Sequence, residues 1–225
     1  MNKIPIYFMP GMAASSRIFE KIHLSEELFE FYYLEWLTPI DQENLTDYTA
    51  RIAKNIHHEN PVLIGVSFGG IIVQELMKIM TTRKTIIISS VRSNQEYPLK
   101  MKWAKTTKIY KLFPTNWLSQ IEGTLVKFGS EKQKKKINLY QQYLSIRDPK
   151  YLDWAFENVI KWNRNQADPS IIHIHGDQDE VFPIQNIHQA IIVKGGTHAM
   201  IIYKHHWFNK NLSNIILYDT YEQLD

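Results

Sequence analysis

The stretch Pro61-Val62-Leu63-Ile64-Gly65-Val66-Ser67-Phe68-Gly69-Gly70-Ile71-Ile72-Val73 changes character at its centre. Up to Val66 it is a short apolar run without polar alternation, which suits a strand covered on both faces. From Phe68 to Met80 it reads as a helix that is apolar nearly all round, as a buried helix is. Ser67 lies at the junction, with Gly65 and Gly69 in a G-x-S-x-G pattern. A serine held on a tight turn between strand and helix needs neighbours without a Cβ, so that the two elements can pack closely. Its hydroxyl then projects above the sheet, and the Phe68 amide opens a helix, where free backbone donors and the helix dipole favour an anion.

The same alternation extends on both sides. Ile4 to Phe8, Phe31 to Trp36 and Thr85 to Ser89 are further strand candidates. A helix is expected from Asn44 to about His58, with Leu45, Tyr48, Ile52 and Ile56 on one face. Strand alternating with helix predicts an α/β fold with a mostly parallel sheet. The alternation stops after Ser90 and resumes with strand candidates at Ile171 to His175 and Ala190 to Val193, before a terminal helix beyond Thr197.

Between them, Arg92 to Arg164 offers only helical periodicity, broken at Pro98, Pro114, Gly123, Gly129 and Pro149. That segment holds 15 Lys/Arg against 6 Asp/Glu and four of the six tryptophans. The expected organisation is a core of residues 1–91 and 165–225, with a helical insertion over 92–164 laid across it. Lys132 to Lys136 reads as a solvated helix face.

Composition narrows the chemistry. At 225 residues, 44% hydrophobic and 22% charged, the chain is of ordinary globular type and of one-domain size. Its formal charge of +3 gives no ground for nucleic-acid binding. With no cysteine, disulfides, thiolate metal sites and a cysteine nucleophile are excluded. No apolar run approaches the ~18 residues of a membrane span. Ile4 to Met9 is too short for a secretory leader and no small-residue cleavage site follows, so a cytoplasmic location is expected. Nothing in the sequence bears on oligomeric state.

A serine nucleophile needs a base. Of nine histidines, His198 follows a strand candidate in the loop Gly195-Gly196-Thr197-His198, at the sheet end where α/β proteins bind ligands. His57, His58, His205 and His206 are expected at helix ends or surfaces, and His173 and His175 in structural hydrogen bonds. The base needs an orienting carboxylate, and His175-Gly176-Asp177-Gln178-Asp179-Glu180 crowds three acids into a turn. Asp177 suits an Asx-type bond to its own backbone. Asp179 is the choice for the third member, and Glu180 the least suited. A rival reading makes Ser67 a helix N-cap.

These residues together resemble the α/β-hydrolase fold along essentially the whole chain. Ser67, Asp179 and His198 stand in that fold's order, each at a strand end. Phe8-Met9-Pro10-Gly11-Met12 resembles the family's first-strand loop, with Pro10 where many members have histidine. His175-Gly176-Asp177-Gln178-Asp179 before Pro183 resembles its acid-strand segment, and 92–164 its helical cap. The resemblance implies about six parallel strands, an oxyanion hole formed by the Met12 and Phe68 amides, and no metal or organic cofactor.

The implied activity is a Ser-His-Asp serine hydrolase of the carboxylesterase kind (EC 3.1), acting on a small-molecule acyl substrate. Trp103, Trp117 and Trp154 are candidate pocket liners. A thioesterase or acyltransferase on an anionic acyl carrier would use the same trio, drawn by the basic insertion. A member that only binds small molecules is the non-enzymatic alternative.

Overall fold

The computed structural model describes residues 3–107 and 142–222. Six strands form one sheet: β1 (Ile4–Met9), β2 (Phe29–Tyr33), β3 (Val62–Val66), β4 (Lys84–Ile88), β5 (Ile172–Gly176) and β6 (Ile191–Val193). Their order is β2-β1-β3-β4-β5-β6, and every neighbouring pair is parallel. The described helices are α1 (Leu45–Ala53), α2 (Phe68–Leu76), α3 (Leu99–Thr107), α4 (Pro149–Lys161), α5 (Met200–Tyr203) and α6 (His205–Tyr218).

Continuous apolar strands bury both faces of this sheet. Ile6 and Phe8 join Ile64, Ile88 and Ile174 in a core closed by α5 and by Phe208, Leu212 and Ile215 of α6. The intervening Tyr7 and Met9 turn to the other face with Leu63 and Ile87, under α1, α2 and α4. Each fully buried Ile or Phe contributes about 1.5–3 kcal/mol relative to an exposed one.

All six expected strands form, with shifted ends. β2 closes at Tyr33 rather than Trp36: the last backbone bond from this segment to β1 is Leu34 N–H to the Phe8 carbonyl (2.9 Å). α1 is capped by Asn44, whose side chain accepts from the Asp47 N–H at 2.9 Å. It ends at Ala53, short of His58, which drops onto the sheet where the Tyr7 hydroxyl meets its Nδ1 at 2.7 Å. The expected terminal helix is two helices that meet at Lys204. Pro149, read as a break, is instead the first residue of α4, where its missing N–H costs nothing.

Within 92–164 the described elements are helical: α3 packs on α4, preceded by a 3-10 turn at Asn94–Glu96. Trp117 and Lys132 to Lys136 lie outside the described residues. Among the described residues, no helix is long and apolar enough to cross a membrane.

Candidate active site

The strand order places the site. The chain leaves β1 for β2 on one side and returns to β3 on the other, so the sheet changes its direction of growth between β1 and β3. Crevices at the carboxyl ends of such strands are where open α/β sheets bind ligands. Met9 pairs with Gly65 there, bringing the Pro10-Gly11-Met12 loop beside Ser67.

Ser67 has φ 52° and ψ −118°, a region a non-glycine residue occupies at a cost of about 1–3 kcal/mol. Its backbone is held at both ends. Ser67 N–H donates to the Ile88 carbonyl at 2.9 Å, and its carbonyl accepts from the Ser90 hydroxyl at 2.7 Å. The flanking glycines permit the turn: a Cβ on Gly65 would strike the Gly69 carbonyl, and one on Gly69 would strike the Met9 and Pro10 carbonyl oxygens. Ser67 occupies the N-cap position of α2, but its side chain makes no capping bond to the helix. Phe68 is the first residue of α2, so its amide is one of those a helix leaves without an intrahelical acceptor.

The Ser67 hydroxyl lies 2.9 Å from His198 Nε2, and His198 Nδ1 lies 2.8 Å from Asp179 Oδ2. A carboxylate only accepts, so Nδ1 carries the proton and Nε2 is left as the acceptor for the serine O–H. Asp179 is 4% exposed. Its Oδ1 accepts the N–H groups of Val181 (2.8 Å) and Phe182 (2.9 Å), leaving Oδ2 to the histidine. Burial alone would raise this carboxyl; the His198 hydrogen bond and charge, with the Phe182 amide, outweigh it and hold the pKa below its ordinary value.

The other acids and histidines of the region take separate places. Asp177 does not bond its own backbone as the turn chemistry suggested. It accepts the Gly195 N–H at 2.7 Å and so ties the acid loop to the histidine loop. Glu180 is exposed. His175 Nε2 meets the Phe182 carbonyl at 2.8 Å and its Nδ1 meets His173 Nε2 at 3.2 Å, a buried chain behind the acid loop.

A cavity of about 410 Å³ opens at Ser67 and His198. Its walls are apolar, among them Met12 and Phe68 beside the serine, Val159 and Phe156 from α4, and Ile201 and Ile202 from α5. Two of the three tryptophans expected to line it do not. Trp103 is 72% exposed on α3. Trp154 packs outside the cavity on Tyr48 (ring centroids 4.1 Å) and donates its indole N–H to the Glu43 carbonyl at 2.6 Å. The position of each on its helix decides this, because side chains half a turn away, Met101 and Phe156, take the inward face. Trp36, in sequence only the end of a strand candidate, donates its indole N–H to the Gly11 carbonyl at 2.9 Å. Phe182 carries no distinguishing signal in the sequence; its ring meets His198 edge-on, 5.6 Å between centroids.

No family model and no curated protein matches the sequence. Solved structures do resemble this one. An esterase from Exiguobacterium antarcticum superposes with a TM-score of 0.67 at 15% identity, over 96% of this chain and 92% of that one. A hydrolase from Pseudomonas aeruginosa gives 0.65 at 11% identity, over 96% and 90%. The esterase RhEst1 from Rhodococcus sp. gives 0.62 at 13% identity, over 95% and 90%. Likeness at such identities reports backbone architecture, and with the six parallel strands flanked by helices it shows that this chain has the α/β-hydrolase fold.

Proposed function

We propose that the chain is a serine hydrolase that cleaves a carboxylic ester or related acyl bond through Ser67, His198 and Asp179. The observation that carries the reading is the unbroken contact from the Ser67 hydroxyl through both nitrogens of His198 to Asp179. His198 Nε2 takes the hydroxyl proton as Ser67 Oγ attacks the acyl carbon. Asp179 holds the imidazole in the tautomer required and stabilises the cation that forms. The amides of Met12 and Phe68 bind the developing oxyanion. His198 then gives its proton to the leaving oxygen, and a water repeats the sequence to free the acid. None of these steps calls on a metal or organic cofactor.

The apolar cavity suits the acyl group, and residues 92–164 act as a cap over the core of 1–91 and 165–225. Met101, Phe156 and Val159 support this, since α3 and α4 supply part of the cavity wall. The names of the structural neighbours, esterase and hydrolase, agree with the reaction class.

The test is a chain-length panel of p-nitrophenyl esters beside acyl-coenzyme A esters, with Ser67→Ala as blank and a fluorophosphonate probe read by intact mass. One adduct on Ser67 and ester turnover lost in the variant are expected. Coenzyme A esters alone being cleaved would move the assignment to a thioesterase. A protein that neither takes the probe nor turns over any member of the panel is a binder, and the hydrolase reading fails.

A further inference from the structure

His198 borders two cavities. Besides the apolar one, a second of about 370 Å³ opens between the loop carrying Asp179 and the loop carrying His198. The two share Val181, His198 and Ala199, so both border the His198 residue. The second is the more polar of the two, with Gln178, Glu180, Thr197 and Lys204 among its remaining walls.

Lys204 stands out among these. It is half-buried at the junction of α5 and α6. Its ammonium lies along Gly195, another wall residue: a methyl built on that glycine would stand 3.2 Å from Nζ. Among the described residues the ammonium has neither a hydrogen bond nor an ion pair. Two other partly shielded cations among the described residues are matched by carboxylates: Lys84 pairs with Asp219 at 2.6 Å and Arg164 with Asp168 at 3.1 Å. An ammonium that borders a cavity with its hydrogen-bonding capacity unused can pair with an anion brought there by a ligand. Glu180 faces the same cavity but is exposed, so solvent and salt screen its opposing charge.

Given the hydrolase reading, on which this step rests, reaction geometry assigns the second cavity a role. The proton taken from Ser67 is returned by His198 Nε2 to the departing atom as its bond to the acyl carbon breaks. The leaving group must therefore lie on the imidazole side. We infer that this second cavity receives the leaving group, and that this group is an alcohol or thiol bearing a carboxylate or phosphate seated on Lys204. The anion takes no part in bond making; it places the departing oxygen or sulfur at Nε2.

The experiment compares hexanoyl esters of 3-hydroxybenzoate and 3-hydroxybenzamide, alike in acyl group and in shape. The wild type is expected to favour the anionic ester by about three- to tenfold in kcat/KM, as one partly screened ion pair allows. Lys204→Gln brings the ratio towards one, Glu180→Gln widens it, and added salt narrows it. A wild-type ratio of one overturns the inference, as does Lys204→Gln slowing both esters with the ratio intact. So does failure of both esters in a protein whose Ser67 takes the fluorophosphonate. Failure of both with Ser67 unlabelled strikes instead at the hydrolase reading beneath it.

Discussion

Trp36 lies flat on Phe68, ring centroids 5.0 Å apart and planes 9° from parallel, and the same indole donates to the Gly11 carbonyl at 2.9 Å. One side chain thus braces both segments whose amides are assigned to the oxyanion. Trp36→Phe keeps a ring on Phe68 and removes the donor, freeing the loop before Met12. A displaced oxyanion donor acts on the transition state more than on the ground state. The expected result is a fall in kcat of about tenfold or more with KM little changed. Unaltered kcat in a normally folded variant would show that the Gly11 loop holds its place without the indole.

Asp179→Asn tests the orienting role. The amide oxygen can still accept from Val181 and Phe182, so the acid loop has its bonds. Its NH₂ then faces His198 Nδ1, and the imidazole must place its proton on Nε2 to accept there. That tautomer cannot take the Ser67 proton. Steady-state kinetics are expected to show kcat reduced by about 10³-fold or more, with a melting temperature near that of the wild type. Near-normal turnover in the folded variant would remove Asp179 from the proposed triad and return the choice to its neighbours.

The parts of this molecule legible in the sequence are those set by local chemistry. Strand candidates are recoverable because both faces are buried, so the run from Pro61 to Val66 is apolar throughout and the run from Thr85 to Ser89 is apolar between its ends, at Ile86 to Ile88. The glycines around Ser67 were legible because no other residue fits where backbone meets backbone. What escaped depends on contacts between distant segments. The inward face of α4 belongs to Val159 and Phe156 rather than Trp154, and only the docking of that helix decides which side chain points in. Asp177 and Gly195 are brought together by the sheet, and local turn chemistry carries no sign of it. Trp36 looked like the end of a strand because a hydrogen bond to a loop 25 residues away leaves no periodic trace.

Acid should loosen the fold before the buried carboxylate of Asp179 is touched. His175 is fully buried and His173 nearly so; burial drives both pKa values below the ordinary 6.5, that of His173 well below. The native chain keeps these imidazoles neutral while the unfolded chain takes up protons below about pH 6.5. Where the unfolded state binds more protons, stability falls as the pH falls. Glu96 works the other way, because burial raises its carboxyl above the ordinary value, but it is one group against two. The depressed Asp179 carboxyl adds its own loss only as the pH drops below 3.8 towards its native value. Melting curves are expected to shift down between pH 7.5 and 5.5, and less so in the variant carrying His173→Leu and His175→Gln. A wild-type melting temperature flat across that interval would contradict the assignment.

Two alanine substitutions at glycines 58 positions apart separate close packing from mere proximity to the serine. A methyl on Gly69 runs into the backbone carbonyls of Met9 and Pro10, which cannot turn aside without moving the end of β1. Gly69→Ala is expected to cost about 1–3 kcal/mol and to depress activity by shifting the loop against α2. A methyl on Gly11 meets Ser67 Cβ at 3.4 Å and the Val66 carbonyl at 3.5 Å, ordinary contact distances. Gly11 has no positive φ either, so Gly11→Ala should melt within a degree or two of the wild type, roughly the ±0.5 kcal/mol of a benign substitution. Denaturant unfolding of both variants reads the difference directly. Equal stabilities would mean that β1 and α2 are less tightly joined below Ser67 than the carbonyl contacts require.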